Sequence, residues 1–114
     1  PYLTFMVSAT KKLIEFRDER DWAQFHDPKN LAAALSIEAA ELNEVFLWKT
    51  TEESSQVEVE RVAEELADVL AYALLLADRF GLDPEQIVLD KIEQNRRKYP
   101  ADKAKGTSKK YTEL

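Results

Sequence analysis

The sequence predicts an all-α fold, a bundle of four helices. Its 114 residues contain only two glycines and four prolines, which leaves room for long helices and little room for hairpin turns or a glycine-rich phosphate loop. Apolar residues recur at helical spacing in four segments, and helix start signals precede three of these segments. The residues between the segments have the polar composition of short loops.

The first two predicted helices begin at polar N-cap residues. Ser8 can cap a first helix that runs to about Gln24, with apolar residues among many charged ones. Asp27 followed by Pro28 is typical of an N-cap with proline at the first helical position. This signal predicts a second helix that runs to about Lys49.

The third predicted helix is the longest. It begins near Ser55, after a polar loop at residues 50–56, and continues to Phe80. Gly81 supplies the C-terminal stop, because glycine readily adopts the left-handed backbone that ends many helices.

The fourth predicted helix starts at residues 83–86, where an aspartate, a proline and a capping-box pattern follow one another. It ends by Tyr99, and the tail at residues 101–114 has loop composition. We expect one domain over residues 1–114. Residues 1–7 are interpreted as a disordered or added start, with Met6 as the natural first residue.

The apolar run at residues 69–77 predicts a homo-oligomer. This run is apolar all the way round the helix rather than along one stripe. A chain of four helices cannot bury such a surface on every side, so we expect the third helix at a subunit interface, in a dimer or a dimer of dimers.

Composition narrows the possible functions. The formal net charge of −6 argues against a general nucleic-acid binder, although residues 91–110 carry a local balance of +6. The sequence has no cysteine, which excludes disulfides and thiolate metal sites and favours a reducing compartment. The apolar run is too short to span a membrane, and no export leader is visible. We therefore expect a cytoplasmic protein without membrane or nucleic-acid partners.

Two pairs of acidic residues stand inside otherwise apolar helical segments. Glu38 and Glu41 are three residues apart, as are Glu65 and Asp68, so each pair lies on one side of its helix. Two such helices side by side would bring together four carboxylates, which repel one another unless a cation is present. Oxygen ligands suit Mg²⁺, with Mn²⁺ as a substitute. The alternative for each pair alone is a solvated helix face.

Other polar and aromatic residues allow both structural and functional interpretations. Tyr72 lies one turn after Asp68, so its hydroxyl can reach the acids or find a partner in the core. Lys91 and Asn95 face the same way on the fourth helix, which permits a phosphate contact or a surface pair. His26 precedes a helix start and is interpreted from its position as structural. Without a Ser-His-Asp set, covalent catalysis is disfavoured.

Several motifs resemble a known family, the all-α nucleoside triphosphate pyrophosphohydrolases of the MazG-like superfamily. The two acidic pairs match that family's E-x-x-E and E-x-x-D metal motif. Six further segments resemble its dCTP pyrophosphatase branch: residues 16–22, Phe25-His26-x-Pro28-x-Asn30-Leu31, residues 46–49, 64–70 and 95–100, and residues 110–114. The resemblance covers nearly the whole chain from Leu13 onward.

The resemblance implies a role for each matching residue. Glu38, Glu41, Glu65 and Asp68 would hold Mg²⁺ and carry catalysis. The substrate-binding residues would be Trp22, His26, Asn30, Trp48, Tyr72, Lys91, Asn95 and Arg96, with the tryptophans at the base and Lys91, Asn95 and Arg96 at the phosphates. The loop between the second and third helices is shorter than in animal members, which makes the pyrimidine preference the least firmly transferred property.

The implied reaction is hydrolysis of dCTP, or of modified dCTP, to dCMP and pyrophosphate in nucleotide-pool house-cleaning. Glu38, Glu41 and Glu65 remain alternative general bases. One alternative is the same scaffold acting on other nucleotides, such as dATP or dUTP. Another is a non-catalytic module, which either binds nucleotides without turnover or only assembles through its helices.

Overall fold

The computed structural model describes residues 8–114 in full and the backbone of residues 2–7. The α-helices are α1 (Tyr2–Glu19), α2 (Pro28–Glu44), α3 (Thr51–Ser54), α4 (Val59–Arg79), α5 (Pro84–Lys98) and α6 (Ala101–Ala104), with 3₁₀ turns at Ala23–Phe25 and Tyr111–Glu113. These described residues include no strand, so the all-α prediction is confirmed. The predicted count of four helices is not confirmed, because the described residues form six.

The chain divides into two compact units, residues 1–81 and residues 82–114. The expectation of a single domain therefore stays a prediction. The expected disordered or added start, residues 1–7, lies outside the side chains that the structure describes. Within the described part of the chain, no helix combines the length and the apolar character needed to cross a bilayer.

The first unit is built on two long helices that lie against each other. α2 packs along α4, and α1 packs against α4. The buried apolar residues of the described chain are few, and all belong to this unit: Leu31, Val45, Leu74, Leu75 and Ala77. Leu31 and Val45 lie at opposite ends of α2, so both ends of this helix are fixed in the core. Glu38 and Glu41 lie between them.

The first helix differs from the prediction at both ends. α1 begins before Ser8, so this serine does not cap it, and α1 ends at Glu19 rather than near Gln24. Asp21 has a left-handed backbone with φ of 55°. The amide of Trp22 donates to the carbonyl oxygen of Arg17 at 3.1 Å, and that of Asp21 donates to Asp18 at 3.1 Å. These bonds form a Schellman motif, which ends the helix.

The second helix begins as predicted and ends early. Asp27 caps it, since a carboxylate oxygen of Asp27 accepts the backbone N–H of Asn30 at 2.8 Å, and Pro28 occupies the first turn. The helix ends at Glu44 rather than Lys49. The backbone then continues in i to i+3 bonds, and Trp48 has a left-handed φ of 65°. The predicted last turn is therefore not α-helical.

The predicted loop at residues 50–56 contains the short helix α3. A capping box starts it: Thr50 Oγ1 accepts the amide of Glu53 at 3.1 Å, and Glu53 accepts the amide of Thr50 at 2.8 Å. The long helix α4 consequently begins at Val59, after the predicted start at Ser55. It ends near the predicted stop, where Gly81 has a φ of 66° that is unfavourable for residues with a Cβ.

The second unit contains α5 and the C-terminal tail. Asp83 caps α5 by accepting the amides of Glu85 and Gln86 at 3.0 and 3.1 Å. The Gln86 side chain donates to Asp90 at 2.9 Å instead of completing the predicted capping box. The predicted loop at 101–114 contains α6 and a 3₁₀ turn, and within this unit the ring of Tyr111 packs edge-on against Tyr99.

The cap at the start of α2 generates a stability prediction. Replacing Asp27 with alanine should lower the free energy of unfolding by about 1 kcal/mol, because the amide of Asn30 loses its acceptor. Chemical denaturation with urea measures this change. The control is Asp78→Ala, which removes an exposed carboxylate near the end of α4 and should shift stability by less than about 0.5 kcal/mol. Equal effects of the two substitutions would contradict the role given to the cap.

Candidate active site

Three acidic side chains meet where α2 and α4 pack together. Glu38 from α2 and Glu65 and Asp68 from α4 each offer one carboxylate oxygen, and these oxygens lie within 4.8 Å of one another. The spacing of Glu65 and Asp68 places both on one side of α4, and the packing of α2 brings Glu38 to them. The exposed Glu41 lies outside this group of three, although its charge acts on two of its members.

The surroundings of the cluster disfavour negative charge. Burial is the largest cause of the raised pKa of Glu38, followed by the Glu41 carboxyl group and the charges of Asp68 and Glu65. Burial also leads in raising the pKa of Glu65, with Glu41, Asp68 and Glu64 adding to it and Arg61 opposing it. One carboxylate oxygen of Glu38 and one of Glu65 are hidden from solvent, and no hydrogen-bond donor of the described chain meets them.

These properties fit a metal ion. Buried polar atoms are normally satisfied by a partner, and the two hidden oxygens have none in the described chain. A cation would satisfy them and remove the repulsion between neighbouring carboxylates. The donor atoms are oxygens alone, the set that hard divalent cations prefer. The cluster of Glu38, Glu65 and Asp68 can therefore hold a metal ion.

A cavity of about 300 Å³ opens beside the cluster, within the first unit. Asp68 belongs both to the acidic cluster and to the wall of the cavity. The residues that line the cavity are Leu13, Phe16, Arg17, Trp22, His26, Asp68, Ala71, Tyr72 and Leu75. Most of them are apolar or aromatic, as is usual in small-molecule sites. A planar ring bound here would lie next to the candidate metal site.

The end of α1 positions Trp22 in this wall. The left-handed turn at Asp21 reverses the chain, and the indole of Trp22 then packs edge-on against the ring of Phe16, with the two centroids 5.7 Å apart. A hydrophobic contact of this kind often accompanies the Schellman motif. The guanidinium of Arg20 covers the outer side of Phe16 at 3.7 Å from its centroid. The two aromatic rings are thus held by the same local structure that ends the helix.

His26 and Tyr72 form another part of the cavity wall. Their rings pack edge-to-face with centroids 6.4 Å apart. Burial, followed by the charge of Arg17, lowers the pKa of His26, which favours a neutral imidazole. The Nδ1 atom of His26 is buried and has no partner among the described residues. His26 therefore contains a buried nitrogen for which the described residues supply no hydrogen-bond partner.

Two other predicted site residues lie elsewhere in the first unit. The side-chain amide of Asn30 donates to the carbonyl oxygen of Phe25 at 3.1 Å and to Asp27 at 3.2 Å, so it holds the turn before α2. Trp48 is 92% exposed and is not part of the cavity wall. The structure thus brings Trp22, His26 and Tyr72 together in one chain, but not Asn30 or Trp48.

The remaining predicted residues belong to the second unit. Lys91 and Asn95 share one face of α5 and line a shallow groove of about 440 Å³ with Ile87, Val88 and Ile92. The ammonium of Lys91 donates to the side chain of Gln94 at 3.3 Å. Arg96 is exposed and forms an ion pair with Glu93 at 3.3 Å. Their contact with phosphates stays a prediction from the resemblance.

The α1 side of the cavity was not predicted from the sequence. Leu13, Phe16 and Arg17 line it, and their spacing of three and four residues places them on one face of a helix. That spacing was a usable signal, but charged residues surround it on α1. Arg17 in particular has no feature in the sequence that separates it from neighbouring surface charges.

Comparisons with known proteins identify the family of this chain. The profile of the MazG-like family matches residues 33–114. The dCTP pyrophosphatase 1 of Homo sapiens is 50% identical and that of Bos taurus 47%, over 88% of this chain. The chain spans 62% of the length of these two relatives. A pyrophosphatase of Archaeoglobus fulgidus, known from its crystal structure, superposes with a TM-score of 0.80 at 45% identity, over 84% of this chain and 93% of that one. The chain therefore belongs to the MazG-like family.

Proposed function

We propose that this chain is a Mg²⁺-dependent nucleoside triphosphate pyrophosphohydrolase that converts dCTP, or modified dCTP, and water to dCMP and pyrophosphate. The observation that carries the proposal is the shared position of Asp68, which belongs to both the acidic cluster and the aromatic cavity. A nucleotide has the matching chemistry, a planar base joined to a polyphosphate. The names of the relatives, dCTP pyrophosphatase 1, support the choice of substrate.

The proposed mechanism assigns separate tasks to the two parts of the site. Glu38, Glu65 and Asp68 would hold Mg²⁺, with Glu41 as the fourth acid. Held by these residues, Mg²⁺ would supply charge neutralisation for phosphate oxygens and a lower pKa for an attacking water. Without a metal ion, the raised pKa values make Glu38 and Glu65 stronger proton acceptors than ordinary glutamates. Glu38, Glu41 and Glu65 remain alternative bases for the water.

The cavity would bind the base and so orient the triphosphate. Trp22 and Tyr72 offer aromatic surfaces to a planar ring, and His26 offers a hydrogen-bonding nitrogen. Holding the base fixes the distance from the ring to the acidic cluster, which favours attack between the α and β phosphates. Lys91, Asn95 and Arg96 are proposed to contact the phosphates, on the strength of the family resemblance alone.

We further propose that the protein is a homo-oligomer, a dimer or a dimer of dimers, that acts on the nucleotide pool of the cytoplasm. Val59, Leu66 and Leu70 are exposed, and their spacing of seven and four residues forms an apolar stripe along α4. The aromatic side chain of Trp48 is also exposed. A second copy of the chain would bury such surface.

The first prediction concerns turnover. Pyrophosphate should be released from dCTP with Mg²⁺ and not with EDTA, and more slowly from dATP and dUTP. Replacing Asp68 with asparagine, or Glu41 with glutamine, should lower kcat/KM by more than about 100-fold, since even outer-shell partners of metal ligands cost 10- to 100-fold. Circular dichroism should show unchanged helix content. Preference for another nucleotide would overturn the assignment of the base, and binding without turnover would support the non-catalytic alternative.

The second prediction concerns pH. Raised carboxyl pKa values mean that the fold is most stable with Glu38 and Glu65 protonated, below the ordinary glutamate pKa. This contribution is lost as the pH rises through the raised values. In EDTA at pH 7, Glu38→Gln/Glu65→Gln should therefore melt above the wild type, and the difference should vanish at acidic pH. Mg²⁺ at pH 7 should stabilise only the wild type. If the wild type melts above the Glu38→Gln/Glu65→Gln variant in EDTA at pH 7, the proposed repulsion between the carboxylates is contradicted.

The third prediction concerns assembly. Replacing Leu70 with glutamate should convert the oligomer to monomers, because a charge would be buried at the interface between copies. Size-exclusion chromatography with light scattering measures the molar mass. Arg79→Glu changes an exposed residue at the end of α4 and should leave the mass unchanged. A wild-type protein that is monomeric in this measurement would contradict the proposed assembly.

A further inference from the structure

Among the residues whose side chains are described, Arg17 is the one cationic residue in the wall of the cavity. It lies on the same face of α1 as Leu13 and Phe16, and only 21% of its side chain is exposed. An arginine that is largely withdrawn from solvent among apolar side chains needs acceptors for its five N–H groups. The guanidinium of Arg17 therefore requires hydrogen-bond acceptors close to it.

Among the described residues, the guanidinium of Arg17 has a partner at one edge only. Its Nε donates to a carboxylate oxygen of Asp18 at 2.9 Å. Among the described residues, the terminal nitrogens Nη1 and Nη2 have neither a hydrogen bond nor an ion pair. Asp18 thus restrains the planar group, and the two terminal nitrogens remain as a fork of donors. A fork of this kind binds two adjacent acceptor atoms in one plane.

The composition of the cavity wall around Arg17 suits a contact between this fork and the edge of a planar base. The other polar side chains of the cavity wall are Asp68, Tyr72 and His26, and the charge of Arg17 helps to keep His26 neutral. The rest of the cavity wall is apolar or aromatic, and it includes Phe16 and Trp22. These surroundings suit a base rather than a triphosphate, whose negative oxygens would be met by the metal at the acidic cluster.

Only some bases present two adjacent acceptors. Cytosine carries O2 and an unprotonated N3 side by side, whereas uracil and thymine carry O2 beside an N3–H donor. An arginine fork can donate to both O2 and N3 of cytosine, whereas in uracil one of its N–H groups meets the N3–H donor and has no acceptor. An unmatched donor in a dry site is costly. The fork therefore discriminates between two bases of nearly equal size.

We propose that Arg17 is a specificity-determining residue that recognises the O2/N3 edge of cytosine through its two terminal nitrogens. This inference rests on the proposed function, because it assumes that the cavity takes the base of a nucleotide. It adds a residue from α1 to the site and gives a physical reason for preferring cytosine to uracil. Asp18 is then a positioning residue that acts through Arg17.

The test compares dCTP with dUTP, which carry the same charge and the same sugar. Replacing Arg17 with methionine keeps an unbranched stem in the wall and removes the fork. The ratio of kcat/KM for dCTP over dUTP should fall by about 10- to 100-fold, the range expected for one bidentate base contact. Arg17→Lys retains the charge without the fork and should lose most of the same preference.

Lys12→Met is the matched control, because it removes one positive charge from the same helix outside the cavity wall. It should leave the ratio unchanged. An equal loss for both nucleotides in Arg17→Met would mean a phosphate contact and would overturn the inference. An unchanged ratio in the same variant would also overturn it. If Arg17→Met does not fold, Arg17→Lys decides between these outcomes.

A binding measurement separates this inference from the proposed reaction. Calorimetry with dCMP and dUMP should show tighter binding of dCMP to the wild type, and a binding ratio near one for Arg17→Met. Binding selectivity without pyrophosphate release would support the role of Arg17 and contradict the proposed reaction. If dCTP is turned over and the base preference is the same in the wild type and in Arg17→Met, the result would support the reaction and contradict this inference.

Discussion

The repulsion between carboxylates held together by α2 and α4 is the constraint on which the rest of the site depends. Glu38, Glu65 and Asp68 offer oxygens within 4.8 Å of one another, and burial raises the pKa values of the two glutamates. Such an arrangement opposes folding at neutral pH. It persists because Leu31 and Val45 fix the two ends of α2 in the core. Functional sites commonly contain such arrangements, which lower the stability of the fold.

The cavity beside the cluster depends on how α1 ends. The left-handed backbone of Asp21 stops the helix and brings the indole of Trp22 against Phe16. The same turn leaves Arg17 at the last regular positions of α1, where its backbone carbonyl accepts from Trp22 and its side chain lines the cavity. The Schellman motif at the end of α1 therefore positions both the aromatic side chains and the cationic side chain of the cavity wall. The acids of α4 then lie next to a pocket with both kinds of surface.

The sequence predicted the features that local chemistry determines. Aspartate followed by proline marked the starts of α2 and α5, and the i,i+3 spacing marked the acids. The end of α1 was missed, because an aspartate rather than a glycine takes the left-handed position. Helix α3 was missed, although Thr50 and Glu53 form a capping box. Arg17 could not be singled out, because its place in the cavity wall depends on how α1 packs against α4. Contacts between distant segments are not encoded in local spacing.

The central claim is that the acidic cluster binds a divalent cation. Electron paramagnetic resonance of Mn²⁺ measures this directly, because bound Mn²⁺ loses the sharp signal of the free ion. The account predicts that the wild type removes free Mn²⁺ from solution at one or more sites per chain and that Glu38→Gln/Glu65→Gln does not, while the charge-matched variant Glu15→Gln/Glu19→Gln on α1 binds like the wild type. Equal binding by the wild type and the Glu38→Gln/Glu65→Gln variant would contradict the assignment of the metal site, and with it the proposed chemistry.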